Sequence, residues 1–153
     1  VLVDHARLMA ICAADEVVIE PGDMVCLYTG FADVILEMDG KPDAQRLASS
    51  CAVLDGRDPA LLQWITDSGL SVLIADNYAV EAYPARETEG CCAALPLHEH
   101  CLFKLGIHLG ELWYLTELAE YLQAKGRSRF LLMAPPLRLP GAVGSPVTPV
   151  AMV

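Results

Sequence analysis

Apolar and polar positions switch between two spacings along this chain, and the switches mark out its elements. Val1-Leu2-Val3 is a bare strand signal with no turn or capping residue ahead of it, so the chain reads as starting inside a larger domain. From Ala6 to Asp15, Leu8, Met9, Ile11 and Cys12 suit a short helix, and Val17 to Ile19 then predict a β-branched strand. Pro21-Gly22-Asp23 predicts a turn, because proline presets φ and glycine supplies the positive φ of a type II turn. Met24 to Tyr28 follows as a buried strand that stops at Thr29-Gly30.

Phe31 to Ser50 is more polar and predicts one or two short helices broken at Gly40-Lys41-Pro42-Asp43. Asp58-Pro59 is a sharper signal. The Asp carboxylate caps free amides of a first turn, and Pro at the first helical position gives up no hydrogen bond. A helix over Pro59 to Ser68 follows, burying some combination of Leu61, Leu62, Trp64 and Ile65 and ending at Gly69. Ser71 to Ala75 is then a strand, and the charged stretch Tyr83 to Glu89 an exposed loop. Leu115, Leu118, Ala119 and Leu122 predict a helix over Thr116 to Lys125, with Thr116 able to cap it and Gly126 to stop it. Phe130 to Met133 is a further strand. From Pro135 onward the chain holds five of its ten prolines, yet Val147, Val150 and Met152 predict an extended strand against a sheet.

The 153 residues suffice for one domain with a real core. An apolar fraction of 54% is high for that length and predicts a covered surface, supplied by self-association or by a further part of the same protein. The formal charge of -10 and scattered Lys and Arg exclude an electrostatic footprint for nucleic acid or anionic lipid. No apolar run approaches the roughly 18 to 20 residues that cross a bilayer, and no basic flank and apolar stretch opens the chain. It reads as a cytoplasmic, unexported protein. Its six cysteines, mostly inside apolar strings, read as buried thiols in a reducing compartment; the vicinal Cys91-Cys92 pair has neither redox nor zinc-finger spacing.

The cluster of good metal ligands is His98-Glu99-His100-Cys101, with His108 and Glu111 beyond it. Residues two apart on a helix point about 200° apart, so His98 and His100 share one ion only from extended backbone. A helix from about His100 to Leu105, ended by Gly106 and followed by extended Ile107 to Gly110, brings Glu111 back beside the helix start. One His and Glu111 then meet at a single ion of the kind Zn²⁺ or Mn²⁺ supplies. Against this stands the plain reading of surface and capping residues, which His108 takes outright. A thiol nucleophile at Cys101 or Cys92 lacks an electropositive setting, and Gly141 to Pro146 lacks the ending of a phosphate loop and reads as a tight turn.

Four blocks of the chain resemble, in order, those of the cyclase family, which includes bacterial kynurenine formamidase, isatin hydrolase, trans-dienelactone hydrolase and some polyketide cyclases. Ile19 through Gly30 is similar to the family's Pro-Gly-Asp, strand, Thr-Gly block, and Leu73 through Asn77 to its strand ending in Asp. His98 through Leu115 is similar to its His, Leu-Phe, Gly-Ile, Glu, Leu block, and Pro136 through Ala151 to its closing Gly-Ser-Pro block. The resemblance implies an α/β fold of the swivelling β/β/α type, a mixed sheet with flanking helices, over a single domain spanning 1–153.

It also implies a metal-dependent hydrolase of cyclic or N-formyl amides or esters, acting on a small molecule through Zn or Mn. The family's early His-x-Gly-Thr-His-x-Asp motif is absent here, so the resemblance covers a C-terminal half and catalytic residues stay unassigned. The later ligands map onto His98 and Glu111, with His100 an alternative because Glu99 interrupts the family's adjacent histidines. Tyr28, Asp76 and Ser145 are substrate-lining candidates from their strand-end positions. The alternative is a non-catalytic binding or assembly module that kept the scaffold and lost the metal.

Overall fold

A computed structural model describes residues 1–90 and 92–153, so Cys91 of the vicinal pair lies outside the described residues. The chain divides into two compact units, Val1–Thr116 and Glu117–Val153. In the first, β1 (Leu2–Val3) leads into α1 (His5–Ala14), β2 (Met24–Leu27), α2 (Phe31–Glu37), α3 (Ala44–Ser49) and β3 (Val53–Leu54). Next come α4 (Pro59–Ser68), β4 (Val72–Ala75), α5 (Pro96–His98), a wider π-helical stretch (Glu99–Leu105) and β5 (His108–Gly110). Helix α6 (Thr116–Ala124) opens at the boundary, and the second unit adds β6 (Leu131–Met133) and β7 (Val150–Met152).

The architecture is mixed α/β with flanking helices, as expected, and among the described residues its strands form three small sheets, parallel and antiparallel. Strands β1 and β3 pair in parallel, β2, β4 and β5 form a parallel sheet with β4 central, and β6 and β7 pair antiparallel. Central position and two covered faces explain why β4 is a continuous apolar run, with Leu73, Ile74 and Ala75 fully buried. The core gathers Leu8, Leu54, Leu61, Ile65, Leu73, Val80, Leu97 and Cys101.

Helix α4 forms for the reasons its sequence carries. Asp58 accepts from the Ala60 amide at 2.9 Å, Pro59 opens the first turn, and Gly69 closes the helix at φ 68°. Leu61 and Ile65, one turn apart, lie at 0% exposure, each burial contributing about 2 kcal/mol. Gly22 takes the expected positive φ, 93°, and Gly40 to Asp43 separates α2 from α3.

Two expectations fail for local reasons. Val17 to Ile19 forms no strand, because the Val17 amide is taken by the Cys12 carbonyl at 2.8 Å as the chain wraps off α1 through Glu16 at φ 53°. Thr116 is the first residue of α6 rather than the residue before it, and its hydroxyl donates to Asp33 at 2.8 Å. In the second unit the Pro-rich tail pairs as expected, with Leu131 opposite Met152 and Met133 opposite Val150, though all three residues of β7 are exposed.

Candidate metal centre

Three parallel strands end side by side, and each is followed by a residue the sequence singled out: Tyr28 after β2, Asp76 after β4 and Glu111 after β5. Carboxyl ends of parallel strands are where open α/β sheets bind ligands, since the chain leaves the ladder there and side chains turn outward. Gly110 lets β5 approach β4 closely. A Cβ at that position would stand 2.9 Å from Ile74 Cγ1 and 3.1 Å from Trp113 Nε1.

His98 and Glu111 meet. The imidazole Nε2 lies 2.9 Å from Glu111 Oε1, and its Nδ1 lies 2.9 Å from Oε1 of Glu81. The ring is thus held on both nitrogens by carboxylates from separate segments. Hydrogen bonds to Glu111 first, and to Glu81 second, raise the imidazole to about 9 against the desolvation that would lower it. Both glutamates thus favour the protonated form of the ring.

Glu81 was not among the residues singled out by sequence. It is fully buried, and its carboxylate also accepts the backbone amides of Leu97 and His98, each at 2.9 Å. The available signal was a lone charge within the otherwise uncharged run Asn77 to Pro84. A buried carboxylate is costly unless every oxygen finds a donor, so such a residue has fixed partners.

The other predicted residues go elsewhere. His100 turns to α4, with Nε2 2.9 Å from Thr66 Oγ1. His98 and His100 diverge as their spacing requires. Asp76 is fully buried beneath the β2–α2 turn, where its oxygens accept Thr29 N, Thr29 Oγ1, Gly30 N and Phe31 N. Tyr28 is exposed and donates to Asp33 at 3.1 Å. Ser145 belongs to the second unit, where its hydroxyl donates to the Leu137 carbonyl at 2.8 Å.

Among the described residues no three His, Cys, Asp or Glu side chains converge as a metal cage. Glu81 sits on the far nitrogen of the His98 ring, so Nε2 and Glu111 are the two donors facing one point. The donor set suits a divalent ion of zinc or manganese type in part: one imidazole nitrogen and one carboxylate, with the second nitrogen anchored as metal-bound histidines generally are. Beside Glu111 in sequence, Leu112 at φ 56° lines an apolar groove of about 410 Å³ with Phe31, Ile35, Leu47 and Tyr78.

The fold is cyclase-like. A crystal structure described as a novel cyclase superposes on the chain with a TM-score of 0.82 at 31% identity. The match covers 100% of this chain and 47% of that one, so the chain spans about half the length of the solved cyclase. No family model and no curated protein matches. No helix among the described residues is long and apolar enough to cross a membrane.

Proposed function

We propose that the chain carries part of the metal site of a cyclase-type hydrolase that opens a cyclic or N-formyl amide or ester of a small molecule. The observation that supports this reading is the convergence of His98 Nε2 and Glu111 Oε1 at the carboxyl edge of the parallel sheet. Both would hold a divalent ion, zinc or manganese, with His100 left out by its contact to Thr66. When bound, such an ion polarises a carbonyl or activates water. A catalytic zinc takes about three protein ligands, so the remaining donors come from polypeptide outside the described residues.

This chain's own residues supply orientation and shape. Glu81 holds the ring through Nδ1 while Glu111 faces Nε2. The groove of Phe31, Ile35, Leu47, Tyr78 and Leu112 offers an apolar wall for a substrate's hydrocarbon portion. Tyr28, with its hydroxyl on Asp33, is the exposed strand-end group able to meet a substrate; Asp76 shapes the turn above it. Exposed Leu102 and Phe103 suit a covering surface from a second copy or from further polypeptide of the same enzyme.

One observation favours a second reading. The His98–Glu111 hydrogen bond already closes the pair on itself, as it would in a non-catalytic binding or assembly module that kept the scaffold without the metal. Calorimetric titration of the chain with Zn²⁺ and with Mn²⁺ separates the two. Saturable binding that disappears in both His98→Ala and Glu111→Ala supports the hydrolase reading; less than about 0.1 ion per chain at millimolar metal ends that reading for this polypeptide taken alone.

A further inference from the structure

Glu81 does two things at once, and only one of them is needed to build a helix. Its oxygens accept the Leu97 and His98 amides at the start of the helical segment that runs from Pro96 through Leu105. A helix start is ordinarily satisfied by Ser, Thr, Asp or Asn at the residue before the first turn. Here that position is Leu95, whose side chain makes no capping bond. The amides are capped instead by a fully buried carboxylate at a sequence separation of 17 from His98, the more expensive arrangement. What the remote carboxylate adds is the third contact, Oε1 to His98 Nδ1 at 2.9 Å, which no side chain at position 95 is seen to make.

The surrounding backbone is shaped around that carboxylate. Gly56 faces it: a Cβ there would overlap Glu81 Oε2 and stand 3.0 Å from the Leu97 amide. Residue 81 is fixed by bridging to Leu54, with the Ala82 amide on the Leu54 carbonyl at 2.9 Å. Just before it, Val80 sits at φ 59°, a costly conformation for a β-branched residue. It is stapled there by the buried Asn77, whose Oδ1 accepts the Val80 amide at 2.7 Å and whose Nδ2 donates to Ala52 at 3.0 Å.

We infer that Glu81 is a positioning residue, which fixes the rotation of the His98 ring and keeps hydrogen on Nδ1 so that Nε2 is presented to a metal ion shared with Glu111, and that Gly56 is the position whose lack of a side chain admits it. The inference rests on the metal reading above for its consequence, though its geometry does not. Outer carboxylates of this kind change metal affinity by about 10- to 100-fold, because an untethered ring must be ordered at the moment of binding.

The test separates capping from positioning. Glu81→Gln keeps the shape but places an amide group against donors, and Glu81→Gln with Leu95→Ser returns a local cap without restoring the grip on the ring. Each variant, with Gly56→Ala as an independent way to displace the carboxylate, is titrated with Zn²⁺ by calorimetry, and its fold is followed by thermal melting. Positioning predicts that the added serine recovers melting temperature while zinc affinity stays about 10- to 100-fold down. Affinity within twofold of the parent chain in Glu81→Gln, or affinity recovered along with stability by Leu95→Ser, overturns the inference.

Imidazole ¹⁵N-edited spectra of the metal-free chains give the readout that needs no ion. A slowly exchanging Nδ1–H resonance of His98, present in the parent and lost in Glu81→Gln and Gly56→Ala, is expected. Its persistence in both folded variants overturns the inference whatever zinc does, whereas absence of zinc binding by the parent with that resonance intact removes only the metal reading.

Discussion

Asp76 Oδ1 accepts both the backbone amide and the hydroxyl of Thr29, at 3.0 and 2.6 Å, while its Oδ2 takes the amides of Gly30 and Phe31. One carboxylate at the end of β4 therefore ties down the whole passage from β2 into α2. Gly30 stands at the α2 N-cap position at φ 80° with no side chain to cap the helix, so Asp76 supplies the cap from another strand. Removing it in Asp76→Ala strands these donors in a buried site. The expected loss is roughly 3 kcal/mol or more, given that a hydrogen bond to a charged group contributes about 1.5 to 3 kcal/mol and unpaired buried donors add their desolvation. Urea unfolding of the variant measures it, and a loss under 1 kcal/mol, below the usual scale of such changes, would refute the anchoring role.

The His98 ion triad makes stability fall on the alkaline side. The folded chain holds the imidazole proton up to about 9, whereas the ordinary histidine value is 6.5, so folding binds a proton more tightly. The contribution is complete below about pH 6.5 and is lost as pH rises through about 9. Urea midpoints measured across that range in metal-free buffer are expected to decline in the parent chain and to decline less in His98→Gln. Parallel declines in the two would assign the slope to other groups.

How much of this was legible follows from which contacts are local. Helix α4 could be bounded because Asp58, Pro59 and Gly69 act on their immediate neighbours. The meeting of His98 with Glu111 could be anticipated because a helix ended by Gly106 and a short strand return the chain over a sequence separation of only 13. Glu81 escaped because its partners lie across a loop and its meaning comes from burial, which no local spacing encodes. Asp76 drew notice for its strand-end position, but its partners at Thr29 to Phe31 belong to a different strand. The strand expected at Val17 to Ile19 had the right residue types, but its first amide closes α1 instead.

Burial sorts the thiols. It pushes Cys26 and Cys101 up to about 12, so neither carries meaningful thiolate near neutral pH, while Cys92 is exposed beside the Arg57 guanidinium at 3.2 Å. Brief iodoacetamide treatment of the native chain at pH 8, read peptide by peptide by mass spectrometry, is expected to label Cys92 and to spare Cys26 and Cys101 until denaturant is added. Native labelling of Cys101 at the rate of Cys92 would mean the helical segment carrying it opens readily.

Asp58 joins two helices. Its Oδ1 caps α4 through the Ala60 amide at 2.9 Å, and its Oδ2 accepts the His5 amide at 2.7 Å, at the opening of α1. The bond from His5 is the main cause that holds its carboxyl below the usual 3.8, ahead of the Ala60 contribution. Asp58→Ala removes a cap and a tether together, so a loss of about 1 to 2 kcal/mol is expected, at the upper end for a single N-cap. Because the folded pKa is depressed, this stabilisation is present above about 3.8 and fades as pH falls through the lower folded value. Parent and Asp58→Ala chains should therefore differ in urea midpoint at pH 6 and converge at the acid end; a gap that stays constant down to the lowest pH at which both fold would show that the carboxylate's charge plays no part.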